Sequence, residues 1–271
     1  MAHLLLRGIQ LGDVQAVLFD KDGTLSISEP QLLTLAKARV FLCLEQVAPA
    51  LRPQLENLLE RAYGLGGDTI DPAGITAVAS RHHNLIATAT ALAQVGIGWP
   101  DALSLSEVVF RQADGRDERR QAQGPDPVRA RQGAGSTSAT TDGLHDLLHQ
   151  LQQARVLCAV ISNDDIAGIE HFLSSHQLSD YFAAIWSAEH RPCKPDPEAV
   201  HGLCRQLGVP VQHCALIGDA NSDLRMAVAA GIPHQRALGY AAAWSTPPPL
   251  AEPHPRIHHW RELGLQANGD G

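Results

Sequence analysis

The sequence predicts a doubly wound α/β fold interrupted by an all-helical insertion. Short apolar runs that end in polar residues recur from about residue 142 onward, with helical patterns between them. One further run of this kind, Ala16–Asp20, stands alone near the N-terminus. The chain between it and the next run is almost entirely helical in pattern. Short uninterrupted apolar strands are those covered on both faces of a parallel sheet. Their alternation with helices marks an α/β core.

Taken in order, Ala16–Val17–Leu18–Phe19–Asp20 reads as a buried strand followed by a turn at Gly23. Leu32, Leu33, Leu35, Ala36, Val40, Phe41 and Leu44 space as a helix. A second helix follows with Leu51, Leu55, Leu58, Leu59 and Ala62, and a third with Leu85, Ile86, Ala89, Leu92 and Ala93. Ser104, with Glu107 three residues on, predicts the start of a fourth. Asp114 to Thr141 is rich in Arg, Gln, Gly, Ser and Thr, which predicts a frayed helix end and then a mobile linker. The second strand is Val156–Ile161, the third Phe182–Ser187, the fourth Cys214–Ile217 and the fifth His234–Leu238. The helices between carry Leu144, Leu147, Leu148 and Leu151, then Ile166, Ile169, Phe172 and Leu173, then Val200, Leu203, Cys204 and Leu207, then Leu224, Met226, Ala227 and Ala230. Gly208 and Gly231 close the last two. Pro247–Pro255 reads as a loop and Asn268–Gly271 as a frayed tail. The expected core domain is therefore 1–28 with 138–271, and the inserted cap is 29–137. The insertion begins four residues after Leu25, so chain continuity predicts a lid over the first strand's end, hinged at the polar linker.

Composition narrows the function. Hydrophobic residues make up 44% of 271, enough for a core, which excludes a wholly disordered chain. Asp and Glu outnumber Lys and Arg 29 to 21, for a net charge of −8. That balance disfavours a nucleic-acid binder, and the linker arginines lack the interleaved aromatics that stack on bases. The five cysteines are scattered and form no CxxC pair, which predicts reduced thiols in a cytoplasmic protein. No apolar stretch predicts a secretory signal or a membrane span. Oligomeric state is left open.

The predicted strand ends carry the chemistry. They read Asp20–Lys21–Asp22–Gly23–Thr24, Ser162–Asn163–Asp164, Lys194–Pro195–Asp196–Pro197 and Gly218–Asp219 with Asp223 four residues on. In open α/β sheets, ligands bind outside the carboxyl ends of the strands. If these ends converge, several carboxylates crowd together and need a cation. Oxygen donors without His or Cys select Mg2+ over zinc. A Mg2+ with Lys194, the Ser162 hydroxyl and the Asn163 amide, at a predicted helix start, makes a pocket that fits phosphate. In an extended segment Asp20 and Asp22 share a side and Lys21 points away, as a structural or surface residue.

These four segments resemble, in order, the motifs of the haloacid dehalogenase superfamily, in its phosphatase branch with a helical cap after the first strand, the phosphoglycolate phosphatase-like group. DxDGT matches Asp20–Thr24, the strand ending in Ser matches Val160–Asn163, the Lys-Pro matches Lys194–Pro195, and GDxxxD matches Gly218–Asp223. The resemblance implies a Rossmann-like core and a Mg2+-dependent phosphatase acting on a small phosphorylated metabolite through an aspartyl-phosphate. It implies Asp20 as nucleophile and Asp22 as general acid and then base. Asp20, the Asp22 carbonyl and Asp219 are implied as metal ligands, Ser162, Asn163 and Lys194 as phosphoryl ligands. Asp223 is implied to orient Lys194 or a metal-bound water, and Thr24 to tie the turn with its hydroxyl. A sugar-phosphate mutase is the alternative; a dehalogenase, which lacks the second Asp, or a catalytically silent binding protein ranks below it. Lys21 and the Leu25–Ser28 segment, which lacks the Asp often found there, depart from the pattern.

Other candidates read as structure. His145 and His149 have zinc-compatible spacing but lack a third ligand. Arg81, His82 and His83 read as a solvated cap face, and Cys193 as incidental beside Lys194.

Overall fold

The computed structural model describes residues 2–122, 137–250 and 253–267. The chain divides into two compact units, Met1–Ile27 with Thr140–Gly271, and Ser28–Ala139.

The first unit is built on a six-stranded sheet. Its strands lie in the order Arg256–Ile257, Ala237–Tyr240, Cys214–Gly218, Ala16–Phe19, Leu157–Ile161, Phe182–Trp186, and every neighbouring pair is parallel. All four residues of Ala16–Phe19 and all five of Cys214–Gly218 are buried. This is what continuous apolar runs predict for strands covered on both faces. Ala16, Leu18, Leu216 and Ile161 share a core with Val200 and Leu203 of the helix Pro197–Leu207 and Leu224 and Ala227 of the helix Asn221–Ala229. On the opposite face Phe19 meets Phe182 and Trp260 edge-on, each at 6.0 Å. Each such side chain taken from water contributes about 1.5–3 kcal/mol.

The chain leaves Ala16–Phe19 for strands on one side of it, then returns to place Cys214–Gly218 on the other. That reversal is the switch point at which open parallel sheets bind ligands. Phe19 pairs with Ile217 and Val160, so Asp20 and Asp219 emerge side by side.

The fifth strand is shorter than expected: His234–Arg236 forms a 3-10 turn after Pro233, and extension begins at Ala237. A second, three-stranded antiparallel sheet, Leu263–Ala267, Ala2–Leu6, Ile9–Val14, was not expected at all. Its hairpin turns at Arg7–Gly8, both with positive φ. The Pro247–Pro255 loop is present over its described residues, and the expected tail at 268–271 lies outside them.

The second unit is helical, with Glu29–Glu45, Arg52–Tyr63, Arg81–Gln94 and Trp99–Ala122 as its main elements. It buries a core that includes Leu55, Leu59, Tyr63, Leu85, Leu92, Val109 and Phe110. Ser104 does not start the fourth helix. The helix opens five residues earlier at Trp99–Pro100, because proline at a first-turn position loses no intrahelical bond and supplies the helical φ. Ser104 is exposed in mid-helix. Helix therefore persists through the first part of the expected linker, to Ala122, and residues 123–136 of that linker lie outside the described set. Arg81, His82 and His83 are exposed, and Arg81 pairs with Asp114 at 2.6 Å.

Candidate active site

The sheet ends bring most of the singled-out residues together. The Ala16–Phe19 strand stops before Asp20, whose amide bonds the Ile217 carbonyl at 2.9 Å. Residues after it fold into a turn: the Thr24 and Ser26 amides both donate to the Lys21 carbonyl, at 3.2 and 3.0 Å. Gly23 is required here on two grounds. Its φ is +79°, and a Cβ would stand 2.2 Å from Asp219 Oδ2 and 2.3 Å from Trp244 Nε1. Thr24 is fully buried, but its hydroxyl has no partner among the described residues, contrary to the expected tie. The turn is fixed instead from outside. Thr141 Oγ1 donates to the Thr24 carbonyl at 2.8 Å and accepts from Trp260 Nε1 at 2.8 Å.

Lys194 sits in the loop after Phe182–Trp186, eight residues beyond that strand's end, and reaches back to the sheet. Its Nζ lies 2.6 Å from Asp20 Oδ1, 2.7 Å from Asp223 Oδ1 and 3.3 Å from the Ile161 carbonyl. Those contacts use all three of its protons. Lys194 can therefore hold a phosphoryl oxygen only by exchanging one of them. Asp223 stands in the first turn of Asn221–Ala229, where its Oδ2 accepts from the Ala220 amide at 3.3 Å. Gly218 leaves room for it, since a Cβ there would stand 2.5 Å from Asp223 Oδ2. Asp219 takes a 2.6 Å hydrogen bond from Trp244 Nε1. Trp244 follows the Ala237–Tyr240 strand, and no motif in the sequence marks it.

Ligand oxygens of Asp20, Asp219 and Asp223 all lie within 4.8 Å of one another, and all three residues are buried. Among the described residues they are the one group that could hold a metal ion; His145 and His149 are exposed. Burial raises the Asp20 carboxyl, Lys194 pulls it down, Asp223 and Asp22 push it up again, and it settles at about 6. Asp219 is pushed well above the carboxylate range by burial and then by Asp20 and Asp223. Burial disfavours the Lys194 ammonium, but Asp20 and Asp223 outweigh it and hold the group above its ordinary value. Three buried carboxylates face one ammonium, leaving two negative charges in excess when all are ionised. The donor set is all oxygen. A divalent hard cation such as Mg2+ fits both the charge and the donors.

Asp22 lies apart from this group. Its carboxylate accepts from Lys21 Nζ at 2.8 Å and Ser26 Oγ at 3.2 Å. Lys21, expected to point away from Asp20 as a structural or surface residue, is not at the surface, because the segment is a turn and not an extended strand. Lys21 is 7% exposed and also pairs with Asp164 Oδ2 at 3.0 Å. Ser162 is buried at the end of Leu157–Ile161, and its Oγ accepts from the Asp164 amide at 3.1 Å, which leaves its proton to donate. Asn163 is half-buried beside it. Contrary to expectation it does not open a helix: the helix is Ile166–Ser175, capped by Asp165, whose Oδ1 accepts from the Gly168 amide at 2.7 Å. An Asx cap satisfies that helix start, so Asn163 offers only a turn amide.

A family model described as haloacid dehalogenase-like hydrolase matches residues 14–231. A phosphoglycolate phosphatase of Pseudomonas fluorescens (strain Pf0-1) is 28% identical over 116 residues, 42% of each chain. A Pseudomonas savastanoi protein named as a probable phosphoglycolate phosphatase is 32% identical over 108 residues, 40% of this chain and 66% of that one. The matches thus span less than half the length of the first curated relatives. In fold, the chain is similar to a HAD-superfamily hydrolase, subfamily IA, of Geobacter sulfurreducens PCA, with TM-score 0.53, 19% identity and coverage of 92% and 94%. It is also similar to a predicted phosphoglycolate phosphatase of Haemophilus somnus 129PT, with TM-score 0.56, 19% identity and coverage of 86% and 89%.

Proposed function

The chain belongs to the haloacid dehalogenase-like hydrolase family, and on that premise we propose that it is a Mg2+-dependent phosphatase of small phosphomonoesters. The observation that carries this reading is the buried group of Asp20, Asp219 and Asp223 around Lys194 at the sheet's switch point. Its excess negative charge calls for a divalent cation, and a cation there draws in a phosphoryl dianion.

Asp20 attacks phosphorus. The new Asp20–phosphoryl bond forms as the bond to the ester oxygen breaks, and that oxygen takes its electron pair and a proton from Asp22. A water then attacks the phosphoryl group, gives a proton to Asp22, and returns Asp20 as a carboxylate. Ser162 Oγ and the Asn163 amide hold phosphoryl oxygens, and Lys194 joins them by exchanging its Asp20 contact. Asp223 keeps Lys194 aimed at Asp20. Asp20, Asp219 and the Asp22 carbonyl would hold the Mg2+, whose part is to neutralise phosphoryl charge. Such transfers depend on in-line positioning and charge neutralisation more than on bond-making groups.

Phosphoglycolate is the first substrate to assay, since the named relatives are phosphoglycolate phosphatases. No helix of the described residues is long and apolar enough to cross a membrane; we place the enzyme in the cytoplasm on its unpaired cysteines. The test is phosphate release from a panel of phosphorylated metabolites, with Mg2+ and with EDTA. We expect release with Mg2+, none with EDTA, and strong inhibition by Ca2+, whose looser coordination spoils in-line geometry. Full activity after chelation contradicts the reading. An isomerised sugar phosphate without net phosphate release favours the mutase.

A further inference from the structure

Lys21 takes no part in the reactions above, yet it is buried as deeply as Lys194, 7% exposed against 6%. An ammonium does not stay buried without partners, because its desolvation costs several kcal/mol. Lys21 has two. Its Nζ bridges Asp22 Oδ1 at 2.8 Å and Asp164 Oδ2 at 3.0 Å, and it lies 5.7 Å above the Phe172 ring. The bridge joins the ends of two adjacent parallel strands, Ala16–Phe19 and Leu157–Ile161.

The two carboxylates differ in how firmly they are held. Asp164 is fixed by its own turn: its Oδ1 accepts from the Asp165 amide at 2.9 Å, its carbonyl accepts from the Ala188 amide at 2.8 Å, and its carboxylate packs against Gly168. Asp22, in the turn after Asp20, is held among the described residues from the side, by Lys21 and by Ser26 Oγ. Lys21 therefore lends Asp22 the rigidity of the neighbouring strand's turn. A proton-transfer group must sit within about 3 Å of its target in a fixed direction, and a carboxylate free to rotate loses that alignment.

We propose that Lys21 is a positioning residue for Asp22, and that through its bridge to Asp164 it holds the Asp22 carboxylate in place to take the proton of the attacking water. This rests on the reading of Asp20 as nucleophile and Asp22 as its proton-transfer partner. The step affected is the second: the water oxygen–phosphorus bond forms, the phosphorus–Asp20 bond breaks with its electron pair returning to the carboxylate, and the water proton passes to Asp22. With p-nitrophenyl phosphate the first step needs no proton donor, because p-nitrophenolate departs unaided. Loss of Lys21 should then slow only the second step, and the phosphorylated enzyme should accumulate.

The experiment compares Lys21→Met, Lys21→Arg and Asp164→Asn with the unaltered protein in saturating p-nitrophenyl phosphate and Mg2+. Acid quench and intact mass give the fraction phosphorylated. In Lys21→Met we expect kcat to fall about tenfold while the phosphorylated fraction rises several-fold. Lys21→Arg, whose fork also spans two carboxylates, should restore both values to within about twofold. Asp164→Asn should move both in the same direction as Lys21→Met by less, and should add nothing in the double variant. A fall in kcat without accumulation shows a merely structural role and overturns the inference, as does an unchanged kcat. If Lys21→Met does not fold by circular dichroism, Asp164→Asn alone decides: accumulation supports the bridge, its absence overturns it. No phosphorylated enzyme in any form, the unaltered protein included, overturns the Asp20 reading and this inference with it.

Discussion

Two buried lysines stand one strand apart at the end of the same sheet, and their surroundings differ in one respect that decides what each can do. Lys194 meets Asp20 and Asp223, with Asp219 beside them, and every member of that group is less than a tenth exposed. Lys21 meets Asp22 and Asp164, whose side chains are 24% and 33% exposed. The first group is overcharged and buried, which suits it to a hard cation, and under the proposed reading it carries the nucleophile. The second reaches water on the carboxylate side. The difference teaches that a buried ion pair is not itself a sign of catalysis. What sets the first group apart is its larger excess of negative charge, two against one when all are ionised, held away from water.

The comparison breaks most sharply in turnover. Asp20→Asn should lower kcat about a thousandfold or more, because an amide oxygen is a poor nucleophile and a poor ligand for a hard cation. Steady-state phosphate release, with deamidation excluded by mass, checks it, and near-normal turnover would remove Asp20 from its role. In stability the two lysines should separate. Lys194→Met strands two buried carboxylates and should cost about 3–5 kcal/mol in EDTA. Lys21→Met leaves two carboxylates that water can reach, and should cost about 1–2 kcal/mol. Urea unfolding of both variants gives the numbers, and equal costs would erase the distinction.

Trp244 sharpens the account of the overcharged group. Its indole orients Asp219 at 2.6 Å, so Trp244→Phe should weaken Mg2+ binding about tenfold. Calorimetric titration of the metal into the protein measures this without reference to activity. The smallest effect concerns pH. Asp20 is raised to about 6 in the fold, above its unfolded value of about 3.9. Its contribution is therefore present below the unfolded value and is lost as pH rises through about 6. Metal-free Asp20→Asn should melt a few degrees above the unaltered protein at pH 8 and show no such gain at pH 4. A gain of the same size at both pH values would mean that charge crowding is not its source.

The sequence disclosed these two groups unequally. Asp20, Ser162, Lys194, Asp219 and Asp223 follow or flank apolar runs, and burial on both faces leaves such strands few other readings; Lys194 alone arrives from a long loop. The burial of Lys21 was not legible, because Lys21 stands two residues past the strand's end at Phe19, where strand alternation no longer applies. The turn that Gly23 permits then swings Lys21 beside Asp22. Trp244 carried no local signal, and Asp164, though legible at a strand end, gave no sign of its pairing with Lys21, since each acts on a residue from a different strand. The Ala2–Leu6 and Leu263–Ala267 pairing was missed for the same reason, its partners standing at opposite ends of the chain.

The most direct test of the claim that the nucleophile belongs to the overcharged group is to find the residue that carries phosphoryl. The enzyme, mixed with substrate and Mg2+ and quenched in acid during turnover, is cleaved and its peptides sequenced by mass. The account predicts one phosphoryl group, on Asp20. A phosphoryl group on Asp22 or Asp164 instead, beside Lys21, would contradict it.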